Sequence, residues 1–550
     1  MNTFEQNLAA LFDRDPELAD RLSRVKIDHK RYVFFEARSG DIVPGLIGGN
    51  KATHPLHSLV DPVHEANRLI GADNDKGFLV FIGLGGGFSV TAALERGEVQ
   101  HILVIEYDIA GLAELLSSLP YHRIFKDPRF HILVDPSNEA IESHILGYYH
   151  PIISGGIRLI SLRTRVAGQP CFNKAFDAAN SAINKVRADY SVQAHFGVRW
   201  FSNILRNLIR AEKQDEPIPR IKRAAITAAG PSLDLQLPQL AQKRREFFLL
   251  ATDTSLQSLL QAGIEPDGVV SIDCQHISYY HFMLGLPAHI PLYLGLVSPP
   301  LVASRSERLH FFAEGHPFTQ YISRYWRYLP LLDTSGGNVT YAALSLADML
   351  GAEQIELYGA DFSYPQGRSY SRGSYMYLNF EARQHRFSPA ESLFSAFLFR
   401  NPILDRIDAE DTWYYETDIL TRYRNLLEEK ISFLRSEIVP VKGLGAVITV
   451  KPKRTDSADP MGFFAPGKPS MPAGEFLREY REKLRRLPDM RETPWSYRAG
   501  LSSEDIEVFT TLLPASAAIK NRHPQVQDRE LLEIIKEYCI KEIDGVLKSL

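Results

Sequence analysis

The sequence predicts a multidomain α/β protein with a Rossmann-like N-terminal domain, a central doubly wound parallel sheet and a helical C-terminal region. Three observations carry this. Continuous apolar runs, such as Phe78-Leu79-Val80-Phe81-Ile82, have the character of strands buried on both faces. Between about 220 and 400, short apolar segments alternate with amphipathic ones, as right-handed βαβ crossovers require. Beyond 405, apolar residues recur at the 3.6-residue period on charged segments.

The 550 residues allow roughly three to four domains, and the expected divisions are 1–217, 218–404 and 405–550. Apolar residues make up 45% and charged residues 23%, which excludes wholesale disorder. Lys and Arg total 62 against 66 Asp and Glu, so there is no overall basic footprint and no nucleic-acid partner is expected. Cys171, Cys274 and Cys539 are far apart in sequence and form no C-x-x-C pair, so neither a disulfide framework nor a thiolate metal site is predicted. The N-terminus lacks the apolar core of a signal peptide. No apolar run reaches the roughly 18–20 residues needed to span a bilayer. The expectation is a cytoplasmic protein without membrane insertion.

In the first region, the run 78–82 leads into Gly83-Leu84-Gly85-Gly86-Gly87, then a helix-compatible stretch over 88–96 and a second strand at 101–105 ending in Glu106. Gly83, Gly85 and Gly87 with Glu106 fit a dinucleotide- or S-adenosylmethionine-binding βαβ unit. Phe88 stands where a complete G-x-G-x-x-G would place its last glycine, so a Rossmann unit that binds nothing is the competing reading. A helical pattern runs from Pro170 to about Ala211. The charged, proline-containing segment 212–219 marks a boundary.

In the second region, strands are expected at 224–228, 247–251, 269–272, 292–297, 309–313 and 355–358, with helices at 255–262 and 338–350, each closed by a glycine. The turn Gly230-Pro231-Ser232 follows the first strand. Its glycine permits close approach, Pro231 suits a first helical position, and the helix start favours an anion such as a nucleotide phosphate. An ordinary strand-to-helix turn capped by Ser232 is the competing reading. Ser335-Gly336-Gly337-Asn338 repeats this chemistry after the apolar run 329–332. Asp253, Asp273 and Asp361 each stand at a strand end, where a carboxylate binds hydroxyls or takes a proton. His276 lies beside Asp273, and the segment after Asp361 concentrates Arg368, Tyr370 and Arg372. In the third region, helices are expected at 419–434 and 531–547, separated by a proline-rich stretch at 451–472.

Three stretches, Ile-Thr-Ala-Ala-Gly-Pro-Ser-Leu-Asp at 226–234, 250–273 and 335–361, occur in the order seen in the motility-associated-factor (Maf) proteins, and the chain resembles that family over most of its length. The resemblance implies a flagellin glycosyltransferase whose central domain is similar to bacterial sialyltransferases. Its donor would be a CMP-activated nonulosonic acid of pseudaminic or legionaminic type, and its acceptors Ser or Thr of flagellin, for flagellar assembly and motility. Carried onto this sequence, Gly230, Pro231 and Ser232 face the donor phosphate, and Ser335, Gly336, Gly337 and Asn338 hold CMP. Asp253, Asp273 and Asp361 line the crevice. Where the family often has a histidine after this segment, the chain has Arg368-Ser369-Tyr370, which leaves His276 and Tyr370 as candidate bases beside Asp273. No further cofactor or metal ligand is assigned, and a homo-oligomer is compatible. The G-P-S-L turn is also shared with the 6-hydroxymethylpterin pyrophosphokinase family, which uses ATP. A methyltransferase acting through the first glycine loop and a non-catalytic flagellin-binding assembly factor are the other readings.

Overall fold

The computed structural model describes residues 2–48, 52–71, 77–163, 170–214, 218–409, 412–453, 466–491 and 493–550. Most of the proline-rich stretch 451–472 and part of the boundary at 212–219 lie outside these residues. The chain divides into two compact units: 1–195 with 489–501 and 516–532, and 196–488 with 502–515 and 533–550.

In the first unit, β1 (Tyr32–Glu36), β2 (Ile42–Ile47) and β3 (Thr53–Pro55) form a small antiparallel sheet. A parallel sheet follows, made of β4 (Phe78–Ile82), β5 (His101–Glu106), β6 (Phe130–Val134) and β7 (Ile157–Ser161) in the order β6-β5-β4-β7. Strands β4 and β5 are buried at every position, as their apolar runs predict. Side chains alternate across a strand, so Leu79, Phe81, Ile102 and Val104 pack into one core with residues of the helices Thr3–Phe12 and Ile109–Ser118. Phe78, Val80, Leu103 and Ile105 pack into a second core with Ile141 and Ile145. Ala175, Ala179, Ala182 and Val186, one stripe of the helix Pro170–Ala211, complete it.

In the second unit, β8 (Arg223–Thr227), β9 (Phe248–Thr252), β10 (Gly268–Ser271), β11 (Leu292–Gly295), β12 (Leu309–Phe312) and β13 (Gln354–Tyr358) start within one residue of the expected strands. Strands β14 (Tyr364–Pro365), β15 (Asp405–Asp408) and β16 (Trp413–Glu416) form a separate antiparallel sheet, ordered β14-β16-β15. With β17 (Glu437–Pro440), the large sheet is seven-stranded and parallel, in the order β12-β11-β10-β9-β8-β13-β17. One face is covered by the helix Val339–Met349, whose Ala343 and Ala347 pack in a core with Ala224, Ile226, Leu250 and Val270. Small residues on both sides bring helix and sheet close together.

One sequence expectation changes. The apolar run 329–332 makes only an isolated bridge, Leu331 with Ala313. The C-terminal region keeps its helices, Asp418–Ile431, Ala473–Arg486, Ser503–Arg522 and Asp528–Lys548, but also supplies β15, β16 and β17. Strand β17 is four residues ended by Pro440, too short to show any period. The winding direction reverses between β8 and β13, which makes their C-terminal ends the switch point where such sheets form a crevice.

The long helix passes Pro514 so closely at Gly197 that any β-carbon there would collide with the Pro514 carbonyl. Gly197→Ala is expected to destabilise the fold by about 2 kcal/mol or more, read as a lower midpoint of denaturant unfolding.

Candidate active site

The turn after β8 is at the switch point, and the chain itself fills the crevice there. Ser232 N–H donates to Asp361 Oδ2 at 2.8 Å, and Gly230 N–H donates to the Gly359 carbonyl at 2.9 Å. The Leu233 and Asp234 N–H groups turn back to Gly230 and Pro231. Pro231 has no N–H, so the first turn of the helix Ser232–Gln242 has its donors engaged within the chain. The Ser232 hydroxyl accepts the Leu444 N–H at 2.7 Å and is buried. A β-carbon on Gly230 would strike Asp361, and one on Gly443 would strike Ser232. The anion seated on this helix start is therefore the Asp361 carboxylate. This corrects the expectation that Gly230, Pro231 and Ser232 present donors to an external phosphate and that Asp361 lines an open crevice. Burial raises the Asp361 carboxyl above the usual carboxylate range, against the lowering pull of Ser232.

Acidic and aromatic groups gather at the ends of β9 and β10. Asp253 starts the helix Asp253–Gln261, where its Oδ2 accepts the Ser271 hydroxyl at 2.6 Å and its Oδ1 the Thr254 N–H at 2.7 Å. Asp273 follows β10 and accepts the Gln275 N–H at 2.9 Å. Burial raises the Asp273 carboxyl, the nearby Asp253 adds to the rise, and the Gln275 N–H and His281 oppose it. Tyr370 comes to the same place from the segment after Asp361. That segment is anchored by Ser371 N–H to the Ala229 carbonyl at 2.8 Å and by the Ser371 and Ser258 hydroxyls at 2.9 Å. Burial raises the Tyr370 phenol, with Tyr364 and Asp253 adding to it and Arg400 opposing.

A phenol with a raised pKa holds its proton at neutral pH, which suits Tyr370 to donating a hydrogen bond. His276 is exposed at the start of the short helix His276–Phe282. His281, five residues further on, is the histidine that is an electrostatic neighbour of Asp273, and the sequence analysis missed it. Its Nδ1 is buried and has no hydrogen-bond partner among the described residues. Its ring meets Tyr375 edge-on at 5.8 Å, and Tyr375 stacks on Tyr280 at 4.9 Å. Only the tight turn of the His276–Phe282 helix selects His281 over His276, and no spacing rule in the sequence reveals it.

Ser335, Gly336, Gly337 and Asn338 precede the helix Val339–Met349, which begins at the same end of the sheet. Asp333 accepts both the Ser335 N–H at 3.0 Å and its hydroxyl at 2.7 Å, and Asn338 caps Tyr341 at 3.0 Å. Burial would raise the Asp333 carboxyl, but Lys430 at 2.7 Å and the Ser335 groups hold it down at about 2. Ser335 and Gly337 remain exposed, which leaves this turn open to a ligand.

The N-terminal glycine loop is closed by its own surroundings. Glu106, expected to bind a ligand, is buried and accepts the N–H groups of Leu84 at 2.8 Å and Tyr107 at 3.0 Å. His57 Nε2 accepts the Gly86 N–H at 2.9 Å, and the Tyr121 hydroxyl donates to the Gly85 carbonyl at 2.6 Å. A β-carbon on Gly85 would meet His57, and one on Gly87 would meet Ile124 and Tyr121. The left-handed conformations at Gly83, Gly85 and Gly87 thus serve an internal packing. Burial pushes the Glu106 carboxyl up to about 7.

Comparison with known proteins agrees with this architecture. Residues 200–367 match the family described as 6-hydroxymethylpterin diphosphokinase MptE-like. Over 175 residues, 31% of this chain and 83% of the relative, the chain is 31% identical to an uncharacterized protein of Treponema pallidum (strain Nichols). The chain belongs to the family of that Treponema protein. A second uncharacterized protein from the same strain is 33% identical over 153 residues, 27% of this chain, which spans about half (54%) of that relative's length. The structure of a Maf glycosyltransferase from Magnetospirillum magneticum AMB-1 superposes with a TM-score of 0.61 at 15% identity, covering 99% of this chain and 95% of that one. The fold is thus the Maf fold, with an MptE-like central domain. Among the described residues no helix is long and apolar enough to cross a membrane.

Two outcomes follow from these contacts. Asp361→Ala leaves the buried Ser232 N–H without its acceptor and should cost about 1–3 kcal/mol in denaturant unfolding. Glu106 holds its proton up to about 7 when folded, against 4.5 for an ordinary glutamate, so protonation favours the folded state. Its contribution is complete below about pH 4.5 and is lost as pH rises through 7, roughly 3 kcal/mol in all. Unfolding free energies measured from pH 5 to 8 should fall with pH, and Glu106→Gln should flatten that slope.

Proposed function

We propose that this chain is a glycosyltransferase that moves a CMP-activated nonulosonic acid onto Ser or Thr hydroxyls of flagellin. The observation that carries the reading is the convergence of Asp273, His281, Asp253 and Tyr370 at the β9 and β10 ends of an MptE-like domain. The likeness to a chain titled a Maf glycosyltransferase supports the transfer of a sugar. In the proposed reaction the acceptor hydroxyl attacks the anomeric carbon, the new C–O bond forms as the bond to the CMP phosphate breaks, and CMP leaves with the electron pair. Asp273, with His281 beside it, takes the hydroxyl proton. Tyr370 and Asp253 position the sugar through hydrogen bonds. Arg368 and Arg372, electrostatic neighbours of Asp234, supply positive charge for the leaving phosphate, and the exposed turn Ser335–Asn338 holds the nucleotide.

The family match to a pterin diphosphokinase supports a second reading, in which the same cleft takes ATP and transfers diphosphate. Thermal shift with CMP, CTP and ATP separates the two. A ligand at 100 times its dissociation constant adds about 2.7 kcal/mol of stability. Stabilisation by the cytidine nucleotides alone supports the glycosyl donor, and stabilisation by ATP alone supports the kinase. Ser232→Ala should lower the baseline stability and leave the nucleotide-induced shift in place.

Activity is read by intact mass of flagellin incubated with a CMP-nonulosonate. Asp273→Asn should slow transfer by about 100-fold or more, the usual scale for loss of a proton-transfer group. His276→Ala should leave the rate near that of the unaltered chain. A full rate in Asp273→Asn would remove that residue from the scheme.

A further inference from the structure

Away from the candidate active site, three histidines meet on one face of the first unit's parallel sheet. His101 opens β5, His131 is on the neighbouring β6, and His144 comes from the helix Asn138–Tyr148 packed on that face. Nε2 of His101 lies 3.0 Å from Nε2 of His144, and one nitrogen from each of the three rings lies within 4.8 Å of the others. No other cluster of three or more histidine, cysteine or acidic residues is this close among the described residues.

We propose that His101, His131 and His144 form a binding site for a divalent transition-metal ion of the zinc class, with solvent as the fourth ligand. With metal–nitrogen bonds of about 2.0–2.1 Å, two ligands of a tetrahedral ion stand about 3.3 Å apart, close to the His101–His144 separation. Two imidazole nitrogens at 3.0 Å face each other only when one carries hydrogen. Moving that hydrogen to the ring's Nδ1 turns two lone pairs toward one point, and an ion there replaces the N–H···N bond. His131 stacks on His101 at 4.4 Å, so its nitrogen reaches the same point by a side-chain rotation, for which its half-exposed position leaves room.

The surroundings suit such an ion. His101 is fixed by stacking on Phe78 at 4.3 Å, and His144 stacks on Tyr148, one helical turn away, at 4.6 Å. Holding two of the three ligands by stacking lowers the ordering cost of binding. Burial keeps the rings neutral at pH 7, as metal ligation requires. A purely imidazole set selects zinc, copper or nickel over magnesium and calcium, which prefer oxygen ligands.

The test uses the untagged full-length chain, stripped with a chelator and titrated calorimetrically with Zn²⁺. Co²⁺ loading is followed by visible absorption. One equivalent should bind, and Co²⁺ should give the intense d–d bands of a four-coordinate site. His131→Gln is read first, because that residue lies outside the His101–His144 hydrogen bond, and His144→Gln second. Each should weaken Zn²⁺ binding at least about 10–100-fold, the range seen even for residues that only orient ligands. His131→Gln should keep the wild-type melting temperature in chelator. Absence of stoichiometric uptake by the wild type overturns the proposal, as does equal uptake by the wild type and both variants. Neither readout depends on glycosyl transfer.

Discussion

At the end of β13, the Asp361 carboxylate accepts the N–H of Ser232, and the segment containing Gly443 and Gly445 closes over both residues. The pairing joins the segments that follow the two strands on either side of the switch point. An anion on a helix N-terminus is electrostatically favourable, and here it is buried as well. This internal carboxylate takes up the donors of the turn after β8, while Asp253 and Asp273 stand at the neighbouring ends of β9 and β10.

The two glycine turns of the chain share one physical solution. Buried backbone N–H groups must find acceptors. The turn after β8 uses Asp361, and the turn after β4 uses Glu106 and His57. A glycine-rich sequence states that something approaches the backbone closely. It does not state whether that something is a phosphate or the protein's own carboxylate, since both present oxygen atoms to the same N–H groups.

The catalytic candidates show the same division at the level of single side chains. Asp253 and Asp273 were legible as strand-end carboxylates, because a parallel strand delivers its last residues to the crevice side. Tyr370 was legible as part of an unusual Arg- and Tyr-containing segment, but the burial that raises its phenol was not. His276 and His281 are indistinguishable by composition. The short helix leaves the first exposed and brings the second within electrostatic reach of Asp273.

The sequence alone determined the α/β class, the starts of β4, β5 and β8 to β13, and the long helix from Pro170. These depend on local hydrophobic periodicity, which a chain carries in its own order of residues. Only the tertiary structure decided the strand order, the entry of β17 into the sheet and the closure of both glycine turns. It also decided the meeting of His101, His131 and His144. Each of these joins groups tens to hundreds of residues apart, through hydrogen bonds and packing that depend on distance in space. No periodicity in the sequence encodes that distance.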